Sequence, residues 1–410
     1  MELVKLTEEE YDAFAYNHPL SSFYQSSYYA RFLSENGFEY DYIGIKDAFL
    51  NIRAAVLISF KSYTNNQIFG YAPGGFLIDY KDINLFKDFN KSLKEYYKKQ
   101  NIIFVKINPN IIIAELNKDE TSFVPNNNIN IINDLKKANC QPLLANKNFE
   151  SIIPRYRAMV NLKDFAYRNL NKNIRNKISK SYRKGFSIKK VGIDYLKDIY
   201  PFIKNKTHKT YNYYESLYHA FSRDNHIDLF IIDIDFAEYL ENVKDQYQKE
   251  LNKNTILVNK MMNHANEKIL KQKLQSDQEL LNLKKYLVEA TNGLSINRHQ
   301  YLGGAIIIKY KDTVTLFASG YNQKYKDCNT NYYLHYKLME YYKYDYKYFN
   351  LNNFSGDLSL TNRYHGLNEF ILGFKPQIYE SIGEFDIIYN KFIYKKDATN
   401  GKLDNLFKND

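Results

Sequence analysis

FAEYLENVKDQYQKELNKNTILVNKMMNHANEKILKQKLQSDQELLNLKKYLVEATNG, residues 236–293, differs in kind from everything around it. It has no proline and a single glycine at its end. Apolar residues recur at three- and four-residue intervals, first at Leu240, Val243, Tyr247, Leu251 and Leu257, then at Leu270, Leu274, Leu280, Leu283 and Leu287. Lysine, glutamate and glutamine fill the other positions, so each run defines one narrow apolar stripe. A stripe that narrow packs against one partner, and two such runs in succession predict an antiparallel coiled-coil arm that projects from the body. Helices of about 25 residues would extend it roughly 38 Å.

Outward from the arm, the pattern on both sides is α/β. Before it, the apolar run at 228–235 reads as a strand; after it, LGGAIIIKY (302–310) and TVTLFASG (313–320) read as strands again. The chain is therefore expected to leave a domain, build the arm and re-enter the same domain. Further upstream, RYRAMVNL leads into a basic helix ending at Gly185, then a short strand and another helix. Residues 1–150 alternate in the same way. A helix over 6–17 opens with Thr7 and three glutamates, strands follow over 41–46 and 54–60, and YAPGG (71–75) is a Gly/Pro turn. A helix over 84–99 precedes the buried strand IIFVKINP (102–109), which stops at proline. This predicts one subdomain over 1–150, a second over 151–235 and 294–395, the arm over 236–293 and a polar tail over 396–410. Two halves of similar size and order suggest an internal duplication.

Composition narrows the chemistry. Over 410 residues, 44% are hydrophobic and 25% charged, which is a folded, multi-domain profile. The net charge of +11 suits a polyanion such as RNA or an anionic membrane surface, but equally suits solubility. Two cysteines, Cys140 and Cys328, are too few for a disulfide framework. MELVKLTEEE has no apolar core, so no secretory leader is expected, and no run is long enough to span a bilayer. These features predict a cytoplasmic protein. The 40 tyrosines are spread along the whole chain, which argues against a dedicated base-stacking platform.

No metal constellation is visible among the eight scattered histidines, and there is no phosphate-binding glycine loop before a helix. Gln300-x-x-Gly303-x-Ala305 matches the short pattern by which CoA-dependent transferases cradle pyrophosphate, but its glycines lead into a strand rather than a helix, so bound CoA is not expected. The densest basic stretch is KNIRNKISKSYRKG (172–185), where Arg175, Ser179 and Tyr182 share one side of a helix.

Five stretches occur in an order that resembles the FemABX peptidyltransferases. They are FYQSSYYARFL (23–33), YAPGGFLIDYKD (71–82), VKINP (105–109), IIPRYRAMVNL with RNKISKSYRKGFSIKK (152–162 and 175–190), and YHGLNEFILGFKPQIYESIGEFDIIYN (364–390). The resemblance implies an α/β (α+β) fold of two acetyltransferase-like (GNAT-type) subdomains sharing a cleft, with the inserted arm. It implies transfer of an amino acid from aminoacyl-tRNA to the stem-peptide amine of a UDP- or lipid-linked muropeptide, beside the inner membrane face, without a cofactor or metal. Lys106 and Asn108 would then face the stem peptide. Arg155, Arg175 and Lys180 would line the cleft against phosphates, and Thr207, Tyr211 and Tyr214 would hydrogen-bond the sugar-peptide from a polar aromatic loop. Ser319, Tyr325 and Phe370 would border the site for the tRNA end. The chain departs from the family pattern where Asn108 replaces aspartate and Ile371 replaces lysine. Two other readings are a non-catalytic binder of tRNA or precursor, and a CoA-dependent N-acyltransferase.

Overall fold

The computed structural model describes residues 1–64, 67–143, 147–149, 152–207, 209–264, 266–403 and 406. Two sheets organise the body. The first has seven strands in the spatial order Glu2–Lys5, Glu39–Lys46, Ile52–Thr64, Gln67–Ala72, Ile102–Ile107, Phe385–Ile388 and Cys140–Pro142. The second has nine, in the order Phe186–Val191, Ile227–Asp235, His299–Tyr310, Thr313–Tyr321, Tyr348–Asn350, Tyr156–Asn161, Gln377–Ser381, Ile112–Leu116 and Phe123–Pro125.

The repeat expected from the sequence is visible as topology. In each sheet an antiparallel run of four strands ends in one parallel pair: Gln67–Ala72 with Ile102–Ile107, and Thr313–Tyr321 with Tyr348–Asn350. Parallel neighbours need a crossover, and each pair has its helix, Ile83–Tyr96 and Thr330–Tyr342. The first of these opens on Asp82, whose carboxylate accepts from the Leu85 N–H; it buries Leu85, Phe86, Phe89 and Leu93 on one face.

The sheets do not divide at residue 150. Strands Ile112–Leu116 and Phe123–Pro125 cross into the second sheet, and Phe385–Ile388 returns from the C-terminal part to complete the first. The crossings are fastened together: the Ile382 N–H donates to the Ile111 carbonyl and the Ser381 N–H to the Arg155 carbonyl, both at 2.8 Å. A further apolar cluster joins the sheets, with Phe69, Tyr71 and Phe104 of the first beside Ile231 and Ile306 of the second, and Tyr29, Ile199 and Phe221 between them.

The arm is a helix pair, Phe236–Asn263 and Glu267–Ile296. Tyr239 bonds Glu289, Glu250 bonds Ser276 and Asn254 bonds Ser276 and Asp277, a register that makes the pair antiparallel. Two details correct the sequence reading. Gly293 does not end the second helix; it sits inside it, where a Cβ would lie 2.2 Å from the Phe236 ring. Leu270 and Leu274 face solvent rather than the seam, where the buried Ser276 meets Glu250 and Asn254 and Leu257 is buried further out.

Candidate functional site

Between the sheets lies a cavity of about 880 Å³. Its walls come from both crossings (Asn108–Asn110 and Gly383–Glu384), the turn at Gly74, the segment Ser21–Tyr24 and one face of strand Tyr156–Asn161. The turn is built by its neighbours. Gly74 and Gly75 have φ of +74° and +80°, a left-handed conformation that glycine adopts without a Cβ clash. Gln25, fully buried, donates from Nε2 to the carbonyls of Gly74 and Gly75 at 3.0 and 3.1 Å, while its Oε1 accepts from the Ser22 N–H and hydroxyl. Asn108 Oδ1 accepts from the Gly74 N–H at 2.8 Å. That bond fixes the amide orientation and leaves Nδ2 buried beside the Tyr71 hydroxyl.

Strand Tyr156–Asn161 alternates, as a strand with one covered face must. Tyr156, Ala158 and Val160 are buried in the second core, whereas Arg155, Arg157 and Met159 line the cavity. The two arginines differ. Arg155 donates from Nε and Nη2 to one oxygen of Glu380, Oε1, at 3.0 and 2.9 Å. Arg157 makes no ion pair or side-chain hydrogen bond among the described residues, and its Nε is buried without a partner. Burial holds its pKa below the ordinary arginine range. Glu384 also lines the cavity and accepts from the Ile152 N–H at 2.8 Å; burial raises its pKa, opposed by the nearby Lys106.

Of the residues singled out from sequence, Asn108 and Arg155 line this cavity. Lys106 does not: its side chain is buried and its Nζ lies 2.9 Å from Asp386 on the adjacent strand. Arg175 and Lys180 lie on helix Lys172–Tyr182, away from the cavity; Lys180 is exposed, and the Arg175 carbonyl accepts from the Tyr167 hydroxyl. The expected loop around Tyr211 is two helices, Leu196–Thr207 and Tyr211–Ser222, the second capped by Thr210. Tyr214 is buried between the sheets and Tyr211 packs on Tyr200, while the Thr207 side chain lies outside the described residues. Tyr214 thus serves as core, while Tyr211 stays partly exposed. The Ser319 carbonyl accepts from Lys206, the Tyr325 hydroxyl donates to Gln300 at 2.6 Å, and Phe370 packs on Tyr332, His335 and Phe374. These three belong to the second half, outside the cavity lining. Gln300, Gly303 and Ala305 lie within strand His299–Tyr310, where a Cβ on Gly303 would meet the Gly320 carbonyl at 2.6 Å. Arg157, Glu384 and the Gln25 clamp were missed. For Arg157 the signal was present: two arginines two apart on an alternating strand share its polar face.

Among the described residues no helix is long and apolar enough to cross a membrane, and no group of three or more His, Cys, Asp or Glu could hold a metal ion.

Two sheets with matching helix-bridged parallel pairs, a shared cleft and an inserted helical arm form an acetyltransferase-like architecture in doubled form. The chain belongs to the FemAB family, whose sequence model matches residues 6–400. Aminoacyltransferase FemB of Staphylococcus epidermidis is 24% identical to it over 439 residues, covering all of both chains. Aminoacyltransferase FemA of Staphylococcus aureus (strain N315) is 22% identical over 417 residues, covering 96% of this chain and 97% of that protein. The crystal structure of FemX superposes with a TM-score of 0.73 at 18% identity, covering 97% of this chain and 99% of that one, and shares its fold.

Proposed function

We propose that this chain moves an amino acid from aminoacyl-tRNA to the stem-peptide amine of a peptidoglycan precursor, with the inter-sheet cavity receiving the acceptor. The observation that carries this reading is the cavity itself. It is large enough for a glycopeptide segment, and it presents the Arg157 guanidinium, which has no ion-pair or hydrogen-bond partner among the described residues, in a chain of this family. An aminoacyl ester is already activated, so the protein has to align an amine beside it. The ammonium loses one proton, and the free amine attacks the ester carbonyl. The tetrahedral adduct then collapses, its nitrogen giving up a second proton as the ribose hydroxyl of the tRNA leaves protonated.

In this reading Asn108 and Arg155 face the acceptor. Ser319, Tyr325 and Phe370 border the approach of the tRNA end, and Arg175 and Lys180 offer cations to RNA phosphates beyond the cavity. Strand Thr313–Tyr321 connects the two regions: Thr313 and Thr315 line the cavity, and Ser319 lies roughly 13 Å further along it at about 3.3 Å per residue.

The test supplies radiolabelled aminoacyl-tRNAs, one amino acid at a time, with UDP- and lipid-linked muropeptides. Transfer from one donor is expected. Precursor binding without transfer from any donor would replace this reading with that of a non-catalytic binder, to which the substitutions at Asn108 and Ile371 lend support.

A further inference from the structure

An arginine inside a cleft is ordinarily neutralised by the protein, as Arg155 is by Glu380. Arg157, two residues along the same face, is not, and its Nε has lost water without gaining an acceptor. Leaving a guanidinium in that state is unfavourable unless a ligand supplies the missing partner. Tyr42, Arg175, Asp233 and Asn331, which also carry a buried polar atom without a partner among the described residues, do not line the cavity.

The charges around this guanidinium restrict the anion. Asp312, Asp345 and Glu384 also line the cavity, and none is ion-paired among the described residues. The third lining cation, Lys311, is held by the His18 carbonyl at 3.4 Å and the Tyr16 ring. A diphosphate, with at least two negative charges, would meet one unpaired guanidinium and three carboxylates. A single carboxylate matches the planar fork of arginine and brings one charge.

We propose that Arg157 anchors a carboxylate of the acceptor's peptide part. This rests on the reading of the cavity as the acceptor site. It makes the cleft a reader of peptide carboxylates rather than of the nucleotide or lipid phosphates.

Titration calorimetry tests it on the full chain with three probes: UDP-linked muramyl pentapeptide, the same molecule with its carboxylates amidated singly and together, and the UDP-sugar without peptide. The native chain should bind the carboxylate form roughly 10- to 100-fold more tightly than the amidated form, as expected for a charge-assisted pair. Comparing the singly amidated forms identifies which carboxylate is read. Arg157→Gln should bring that ratio to within about threefold and leave the peptide-free UDP-sugar unchanged. Arg157→Lys, which keeps the charge but not the fork, should fall between. Arg157→Gln weakening the UDP-sugar instead would overturn the proposal in favour of a phosphate site. An undiminished carboxylate preference in Arg157→Gln would overturn it while leaving the acceptor site standing. Failure of the native chain to bind any probe would overturn both. Should Arg157→Gln not fold, Arg157→Lys decides, and an unchanged preference there overturns the proposal.

Discussion

Replacing Lys106 with methionine separates a structural role from a substrate-binding one. Lys106 and Asp386 face each other on adjacent strands of the first sheet, with side chains 8% and 4% exposed and Nζ 2.9 Å from Oδ1. The Tyr394 hydroxyl donates to the other carboxylate oxygen at 2.7 Å. Without the lysine, Asp386 stays buried with its charge answered by one hydroxyl. Removing one partner of a buried pair costs about 3–5 kcal/mol, most of it from the charge left behind. At about 1 °C per kcal/mol for a chain of 410 residues, the melting transition of Lys106→Met should fall by roughly 5 °C. Lys106→Met combined with Asp386→Asn removes the stranded charge and keeps the Tyr394 bond, so it should recover at least half of the loss. Urea and thermal unfolding of the two single variants and the double variant provide the cycle. A loss below about 1 kcal/mol in Lys106→Met, or additive effects in the double variant, would refute the argument. Normal stability with a tenfold loss of precursor affinity would instead return Lys106 to the binding site.

Two further outcomes follow from packing and burial. Gly293→Ala should destabilise the base of the arm by about 1–2 kcal/mol in urea titrations, because overpacking against Phe236 outweighs alanine's better helix propensity; Phe236→Leu should relieve it. His335 is buried, and desolvation lowers its pKa to about 4, with Lys206 also lowering it and the Asn331 carbonyl opposing. The unfolded chain therefore takes up a proton on this histidine between pH 6.5 and about 4 while the folded chain does not, so stability is lost as pH falls through that window. The contribution is about 2 kcal/mol between pH 7 and 5, and His335→Gln should flatten the acid side of the unfolding profile by that amount.

The parts legible from sequence are those whose signals are local. The arm announced itself by an uninterrupted three- and four-residue spacing, and the first helix by its Thr7 cap. Gln25 and the Gly74–Gly75 turn sit inside stretches that carried the family resemblance, although their contact with each other could not be read from either stretch. The strand exchange left no such trace. Phe385–Ile388 alternates like any strand, and nothing in its composition says which sheet it joins. Long-range pairing also decided the fate of Lys106, since Asp386 is 280 positions away. Tyr214 was misread because an amphipathic aromatic helix looks the same from sequence whether its rings meet a ligand or another sheet.

The exchanged strand has a consequence for synthesis on the ribosome. Strand Ile102–Ile107 and strand Cys140–Pro142 share Phe385–Ile388 as their common neighbour, so the edge of the first sheet stays open until almost the whole chain has been made. At about 5–20 residues per second, that is a delay of roughly 15–60 s after Ile107 is added, during which an apolar edge is available to other chains. The first sheet therefore closes last although most of its strands are made first. A nascent chain stalled before residue 385, or a fragment ending near 150, presents this open edge, which makes the C-terminal strand the step on which soluble production of the protein depends.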